Sequence, residues 1–186
     1  MTLPTPSQTV GPFFHIGLPD DGGHELVPPG HPHAIRLLGT VLDGEAEPVR
    51  DALIELWQAN RDGRYDHPED AREEIPLEPG FRGFGRCGTD TSGGYHFVTV
   101  KPGPVPHPDG AMQAPHIDVS VFARGLLKRL VTRIYFPDER DANESDPVLA
   151  SVEPERRASL VAREEDGALR FDIHLQGDRE TPFFDL

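Results

Sequence analysis

An all-β sandwich with long loops, an extended N-terminal arm and one late helix is the fold this sequence predicts. Three observations lead there. Short apolar runs recur between Gly, Pro, Asn and Asp clusters along most of the chain, the pattern of many short strands joined by turns. Residues 1–34 hold seven Pro and five Gly, which suits an arm and loop and not a regular element. Only one stretch, opened by Glu153-Pro154, carries helix-start chemistry, with Pro in the first turn. The chain has 186 residues, 36% of them hydrophobic, enough for one well-buried domain, here residues 35–186 behind the 1–34 arm.

The elements follow in order. Ile35 to Leu42 reads as a strand closed by Asp43-Gly44, and Ala52 to Gln58 as a second ended by Asn60-Arg-Asp-Gly63. Residues 64–80 are polar and Pro-containing, hence a long loop. Arg86 to Thr89 and Tyr95 to Val100 flank Asp90-Thr-Ser-Gly-Gly94, a hairpin signal. In His116 to Phe122 the apolar Ile117, Val119 and Val121 alternate with His116, Asp118, Ser120 and Phe122, which therefore share one face. Arg129 to Phe136 is a further strand. The helix runs from Glu153-Pro154 to Glu165-Asp-Gly167, and Leu169 to Leu175 closes the domain with Phe171, Ile173 and Leu175 on one face.

Charge and composition exclude several functions. Eighteen Lys and Arg against thirty-two Asp and Glu leave a formal charge of −14, which repels nucleic-acid backbones and anionic lipid. No nucleic-acid or membrane partner is expected, and an anionic ligand would need a locally placed Arg. One Cys rules out an internal disulfide and suits a reducing compartment. The first residues show neither a basic n-region nor an apolar h-region, so a cytoplasmic location is expected. There is no Gly-rich phosphate loop and no nucleophile elbow.

His116-x-Asp118 sets an imidazole beside a carboxylate on one strand face, a chelating arrangement. With His174 as a distant third ligand it matches the His-x-Asp…His outline of iron(II) oxygenases. The plainer alternative is that His116 and Asp118 pair with each other or with nearby backbone. Arg133, mid-strand in an apolar run, must find a partner, either a carboxylate of this chain or a ligand. His31-Pro-His33, in a Pro-rich loop, suits solvated side chains.

Seven segments resemble the intradiol ring-cleaving dioxygenases, over nearly the whole chain. They are Pro6–Pro12, Phe84-Gly-Arg86, Gly88-Thr-Asp90, Lys101-Pro-Gly-Pro104, Pro115-His116, Val131–Phe136 and Arg170–Ile173. The resemblance implies a β-sandwich and an iron(III) centre held in catalytic chains by two Tyr and two His. Of those four positions Tyr65 and His116 match here, while Val105 and Asp118 replace a Tyr and a His; Gln113 stands for an Arg near the iron. Iron(III) needs anionic phenolates and positioned imidazoles, and Val has no lone pair. Tyr65, Val105, His116 and Asp118 are therefore expected to form an empty, vestigial metal site, with no catalytic residue in this chain alone.

By the same resemblance the chain is the alpha type. It would pair with a homologous beta subunit that holds the iron(III), in a higher αβ oligomer. Thr9, Gly11, Pro12 and Arg133 would form part of the substrate wall. The substrate would be an aromatic acid, 3,4-dihydroxybenzoate, cleaved with O2 to 3-carboxy-cis,cis-muconate. Two other classes remain compatible with the residues: an autonomous metal-dependent oxygenase using His116, Asp118 and His174, and a non-catalytic sandwich module.

Overall fold

The structure, a computed structural model, describes residues 8, 9, 11, 13–18 and 21–185. Pro12 of the expected substrate wall lies outside the described residues. The elements are α1 (Phe13–Gly17), β1 (Ala34–Leu42), β2 (Leu53–Trp57), β3 (Phe84–Gly88), β4 (Gly94–Val100), β5 (Val105–Pro106), β6 (Met112–Gln113), β7 (His116–Phe122), β8 (Leu130–Tyr135), α2 (Arg140–Ser145), α3 (Pro147–Ala150), a 3-10 turn (Arg157–Leu160), β9 (Arg163–Glu165), β10 (Ala168–Arg170) and β11 (Ile173–His174).

Two sheets carry the fold, and the all-β expectation describes them. In the first, β1 pairs antiparallel with β4 on one side and parallel with β10 and β11 on the other, with β9 at the edge. The second has the order β3-β2-β7-β8, all antiparallel. The alternation read from sequence decides which faces meet. Leu37 and Val41 of β1, Tyr95 and Phe97 of β4, Ile54 and Leu56 of β2, and Ile117, Val119 and Val121 of β7 are all buried in one continuous core. The outer face of the second sheet is left to His116, Asp118, Arg133, Glu55 and Arg86, and the functional questions concern that face. Among the described residues no helix is long and apolar enough to cross a membrane.

Three expectations need correction. The helix expected over 153–167 is a single 3-10 turn followed by the β9–β10 hairpin. Asp166 and Gly167 have φ of 50° and 74°, and positive φ at both central residues is what a type I′ hairpin turn requires. Asp-Gly here reverses a strand; it does not end a helix. The Asp90–Gly94 turn forms, with Asp90 N donating to Gly94 O at 2.9 Å. Its flanking strands nevertheless enter different sheets, because β3 pairs with β2 and β4 with β1. The last strand is broken at Phe171-Asp172 into β10 and β11, both in line along β1. At the break the Asp172 carboxylate accepts from Thr40 N at 3.0 Å, replacing a backbone acceptor of the ladder.

The same break makes Gly39 irreplaceable. A Cβ there would lie 1.9 Å from Phe171 O and 2.5 Å from the Tyr95 ring, whose hydroxyl donates to Phe171 O at 2.5 Å. Backbone on one side and a buried ring on the other leave no room to yield. Gly39→Ala is expected to lower stability by at least about 3 kcal/mol, as overpacking of a close-packed core does. Denaturant unfolding checks it, and a loss below about 1 kcal/mol contradicts the packing argument.

Candidate functional site

The outer face of the second sheet has two ends. At one end the β7–β8 register sets His116 opposite Tyr135 and Asp118 opposite Arg133, while β2 sets Trp57 beside Asp118. The Tyr65 ring stacks on Trp57, centroids 5.7 Å apart and planes 5° from parallel. Val105 is buried and is the ladder partner of Gln113. The fold thus gathers Tyr65, Val105, His116 and Asp118, as the resemblance implies, and adds Gln113 and Arg133 to them.

The loop bearing Tyr65 is fixed by its own polar groups. Asn60 Oδ1 accepts from Asp62 N and Arg64 N at 3.0 and 2.9 Å, and its Nδ2 donates to Pro76 O at 2.8 Å. Gly63, at φ 80°, lies against Pro104 so closely that a Cβ would sit 2.2 Å from Pro104 O. That contact holds the Tyr65 loop against the Pro-Gly-Pro segment. Asp70 completes the clamp by accepting from Tyr65 N at 2.8 Å and from Arg72 Nε and Nη2 at 2.8 and 2.6 Å.

Arg72 holds the Asp70 carboxyl well below the usual carboxylate range, with backbone donors from Tyr65 and Arg72 assisting. A carboxylate depressed in the folded state contributes stability that is present above its unfolded pKa, about 3.9, and declines as pH falls below it. The stability gap between wild type and Asp70→Asn is therefore expected to be constant above about pH 5 and to narrow progressively below about pH 4. Thermal melts followed by Trp57 fluorescence measure this; a gap that keeps its full size down to about pH 2 rules the clamp out.

His116 is buried, and its Nδ1 lies 2.7 Å from Ala114 O. A carbonyl can only accept, so Nδ1 carries the proton and Nε2 presents its lone pair. Burial lowers the His116 pKa, which keeps the ring neutral. That Nε2 has no hydrogen-bond partner and lies 3.8 Å from Asp118 Oδ2. The other carboxylate oxygen, Asp118 Oδ1, accepts from Arg133 Nε at 2.8 Å, and Arg133 Nη1 donates to Gln113 Oε1 at 2.7 Å. Burial, and next the Asp118 charge, push the Tyr65 hydroxyl up to about 12. Forming a phenolate there is unfavourable.

These residues do not fit iron(III). One imidazole lone pair is available, Val105 offers nothing, Asp118 is neutralised by a guanidinium and Tyr65 is held as a phenol. Beside them Arg133 bridges Asp118 and Gln113. His174 does not complete an iron(II) triad, because it lies in β11 of the other sheet. Among the described residues no group of three or more His, Cys, Asp or Glu is placed to hold a metal ion.

At the other end of the face, the arm crosses the sheet. Phe14 packs on Phe122 with centroids 6.0 Å apart, and Leu18 O accepts from Arg86 Nη1 at 3.2 Å. Thr9 Oγ1 accepts from Gly125 N at 2.9 Å, in the turn after β7. Gly11 has φ 63°, a conformation that glycine adopts without strain. Thr9 therefore contacts the residue next to Arg124, whose side chain is 69% exposed with its Nε 3.1 Å from Asp51 Oδ2. Arg133 is not beside Thr9. It pairs with position 118 on β7, and six residues at about 3.3 Å each place it roughly 20 Å along the strand from position 124. Nothing in the local sequence around Arg124 marks it as a ligand contact. Only the Thr9 contact singles it out.

Comparison with known proteins places these features in context. The family description "Dioxygenase" matches residues 10–177. The protocatechuate 3,4-dioxygenase alpha chain of Pseudomonas putida is 45% identical over 98% of this chain and 96% of its own length. The beta chain of the Burkholderia cepacia enzyme is 39% identical, over 95% of this chain and 77% of its own length. Among solved structures, the dioxygenase domain of a dioxygenase–carbohydrate-binding fusion from Streptomyces sp. SirexAA-E superposes with a TM-score of 0.60. It is 27% identical and covers 94% of this chain and 99% of that domain.

Proposed function

This chain belongs to the intradiol dioxygenase family, and from that premise we propose that it is the iron-free, alpha-type subunit of an enzyme cleaving 3,4-dihydroxybenzoate. O2 would be the second substrate and 3-carboxy-cis,cis-muconate the product. A homologous beta chain would carry the iron(III), in a cytoplasmic αβ assembly. The single observation that carries this reading is the donor set, in which Val105 and an Arg133-bound Asp118 stand where two ligands are required. Similarity to both an alpha and a beta chain supports descent by duplication, and pairing of the two chains through equivalent patches.

Iron(III) in the partner would bind the catechol as a dianion and activate it toward O2. This chain's own residues would shape the pocket wall. Thr9 is tied to the 123–125 turn, and Gly11 brings bare backbone close enough to lie against a flat ring. The acidic surface makes a cation necessary for the substrate carboxylate. The resemblance nominates Arg133. Arg133 is already engaged by Asp118 and Gln113, so we favour Arg124, for its exposure and its place next to the turn residue that Thr9 contacts.

Metal analysis and ring-opening assays test the reading on the full chain, expressed alone and with a beta-type partner. Alone, the chain is expected to hold no stoichiometric iron and to be inactive; together, one iron per αβ pair and full activity. Tightly bound iron or turnover in the chain alone overturns it.

A further inference from the structure

Two features of the His116 end are unexplained by a merely abandoned site. The His116 Nε2 lone pair is buried without a partner, although a buried acceptor of this kind is costly to leave unpaired. It also shares a face with a carboxylate whose positive partner, Arg133, reaches across from the neighbouring strand in strict register. Gln113 adds an amide oxygen to the same guanidinium, and its Nε2 is tied back to Pro106 O at 3.1 Å, which fixes the oxygen toward Arg133. An imidazole nitrogen, a carboxylate and an amide oxygen thus converge on one small region, and the cation among them is part of the chain.

We propose that Arg133 is the resident cation of this site. Its guanidinium takes Asp118 Oδ1 and Gln113 Oε1, two of the three donors a divalent transition-metal ion would use, and leaves His116 Nε2 alone, so it keeps the site metal-free while preserving its charge balance. Removing the guanidinium without replacing its charge converts His116, Asp118 and Gln113 into a metal-binding cluster. The physical basis is competition for the same electrostatic position. A metal ion entering the wild-type site would face a fixed positive charge bonded to two of its donors, Asp118 and Gln113. Nitrogen and oxygen donors of this kind suit Co(II) or Zn(II). Arg is well suited to the blocking role because it stays protonated under all ordinary conditions, and its planar fork engages two acceptors at once. The inference goes beyond the proposed subunit role. It concerns only this chain's side chains and holds or fails regardless of which chain carries iron.

Co(II) titration of the full chain, followed by visible absorption and by metal content after dialysis, tests it. Arg133→Met keeps the length of the side chain and removes the charge. This variant is expected to take up one Co(II) per chain beyond the wild type, at least 100-fold more tightly than the wild type does at this site. That gain is expected to vanish in Arg133→Met/His116→Gln. Arg133→Lys, which keeps a cation, should remain metal-free. A folded Arg133→Met chain whose Co(II) affinity stays within threefold of wild type overturns the proposal, as does a gain that survives loss of His116. Should Arg133→Met fail to fold, the wild-type chain decides the matter through the 15N shift of His116 Nε2. An unprotonated shift undisturbed by about 1 mM Zn(II) is expected; a shift moved by Zn(II) at that concentration means the guanidinium does not exclude metal.

Discussion

Replacing Asp146 with Ala is expected to cost about 4 kcal/mol of unfolding free energy, a large fraction of what a domain of this size possesses. Asp146 is fully buried between β8 and α3. Its Oδ1 accepts from Tyr135 Oη at 2.9 Å and from Val148 N and Leu149 N at 2.9 and 2.7 Å, capping α3. Its Oδ2 accepts from Ala114 N at 2.8 Å, two residues before His116. One carboxylate thus ties a helix start, a strand and the approach to the candidate site together. Alanine leaves four buried donors unsatisfied, and each bond to a charged group contributes about 1.5–3 kcal/mol before relaxation. Water entering the gap and local relaxation offset a large part of that sum, which is why the expected total is only about 4 kcal/mol. At roughly 3 °C per kcal/mol for this chain length, the melting temperature should fall by about 12 °C. Asp146→Asn keeps one acceptor oxygen and should lose about half as much. Guanidinium unfolding of both variants measures it, and a loss below about 1 kcal/mol for Asp146→Ala shows that the network is not needed.

The second large effect concerns substrate binding in the assembled enzyme. Arg124→Ala is expected to raise KM about 10- to 100-fold, with kcat within about threefold, since a charge-assisted contact contributes roughly 1.5–3 kcal/mol. The Arg124 side chain is largely exposed, but its partner Asp51 is mostly buried, so a fall of a few degrees in melting temperature, about 1 kcal/mol, is expected alongside the KM effect. Arg133→Ala is expected to behave in the opposite manner. It strands the part-buried Asp118 carboxylate and the Gln113 amide, lowering stability by about 2 kcal/mol while leaving KM within a few-fold. Steady-state kinetics and melts on both variants separate the roles. If only Arg133→Ala raises KM, the carboxylate contact belongs to Arg133 and the Thr9 neighbourhood loses its claim.

Much of the fold was legible because it rests on local periodicity. β7 runs over His116–Phe122 as the alternation of Ile117, Val119 and Val121 predicts, and β1, β2 and β4 lie within two residues of their expected ends. The errors have a common origin. Glu153-Pro154 is a valid helix start, but the residues after it satisfy their backbone through β8 and the β9–β10 hairpin. Asp166-Gly167 serves a hairpin as readily as a helix end, and neighbours alone do not distinguish them. The Asp146-Pro147 pair, a side-chain cap followed by Pro at the first helical position, was a readable signal for α3 that the strand pattern obscured.

At the candidate site the division is sharper. The sequence, through its resemblance to the family, showed Val105 and Asp118 standing where catalytic chains carry a Tyr and a His. It also determined that His116 and Asp118 share a strand face, since the period of a β-strand is two. Only the tertiary structure decided that Arg133 supplies the cation, that Gln113 helps hold it, and that Thr9 meets the 124–125 turn more than 110 residues away. Those outcomes depend on cross-strand register and on where an arm crosses a sheet. Both are set by long-range burial of the whole core, to which no local stretch of residues has access.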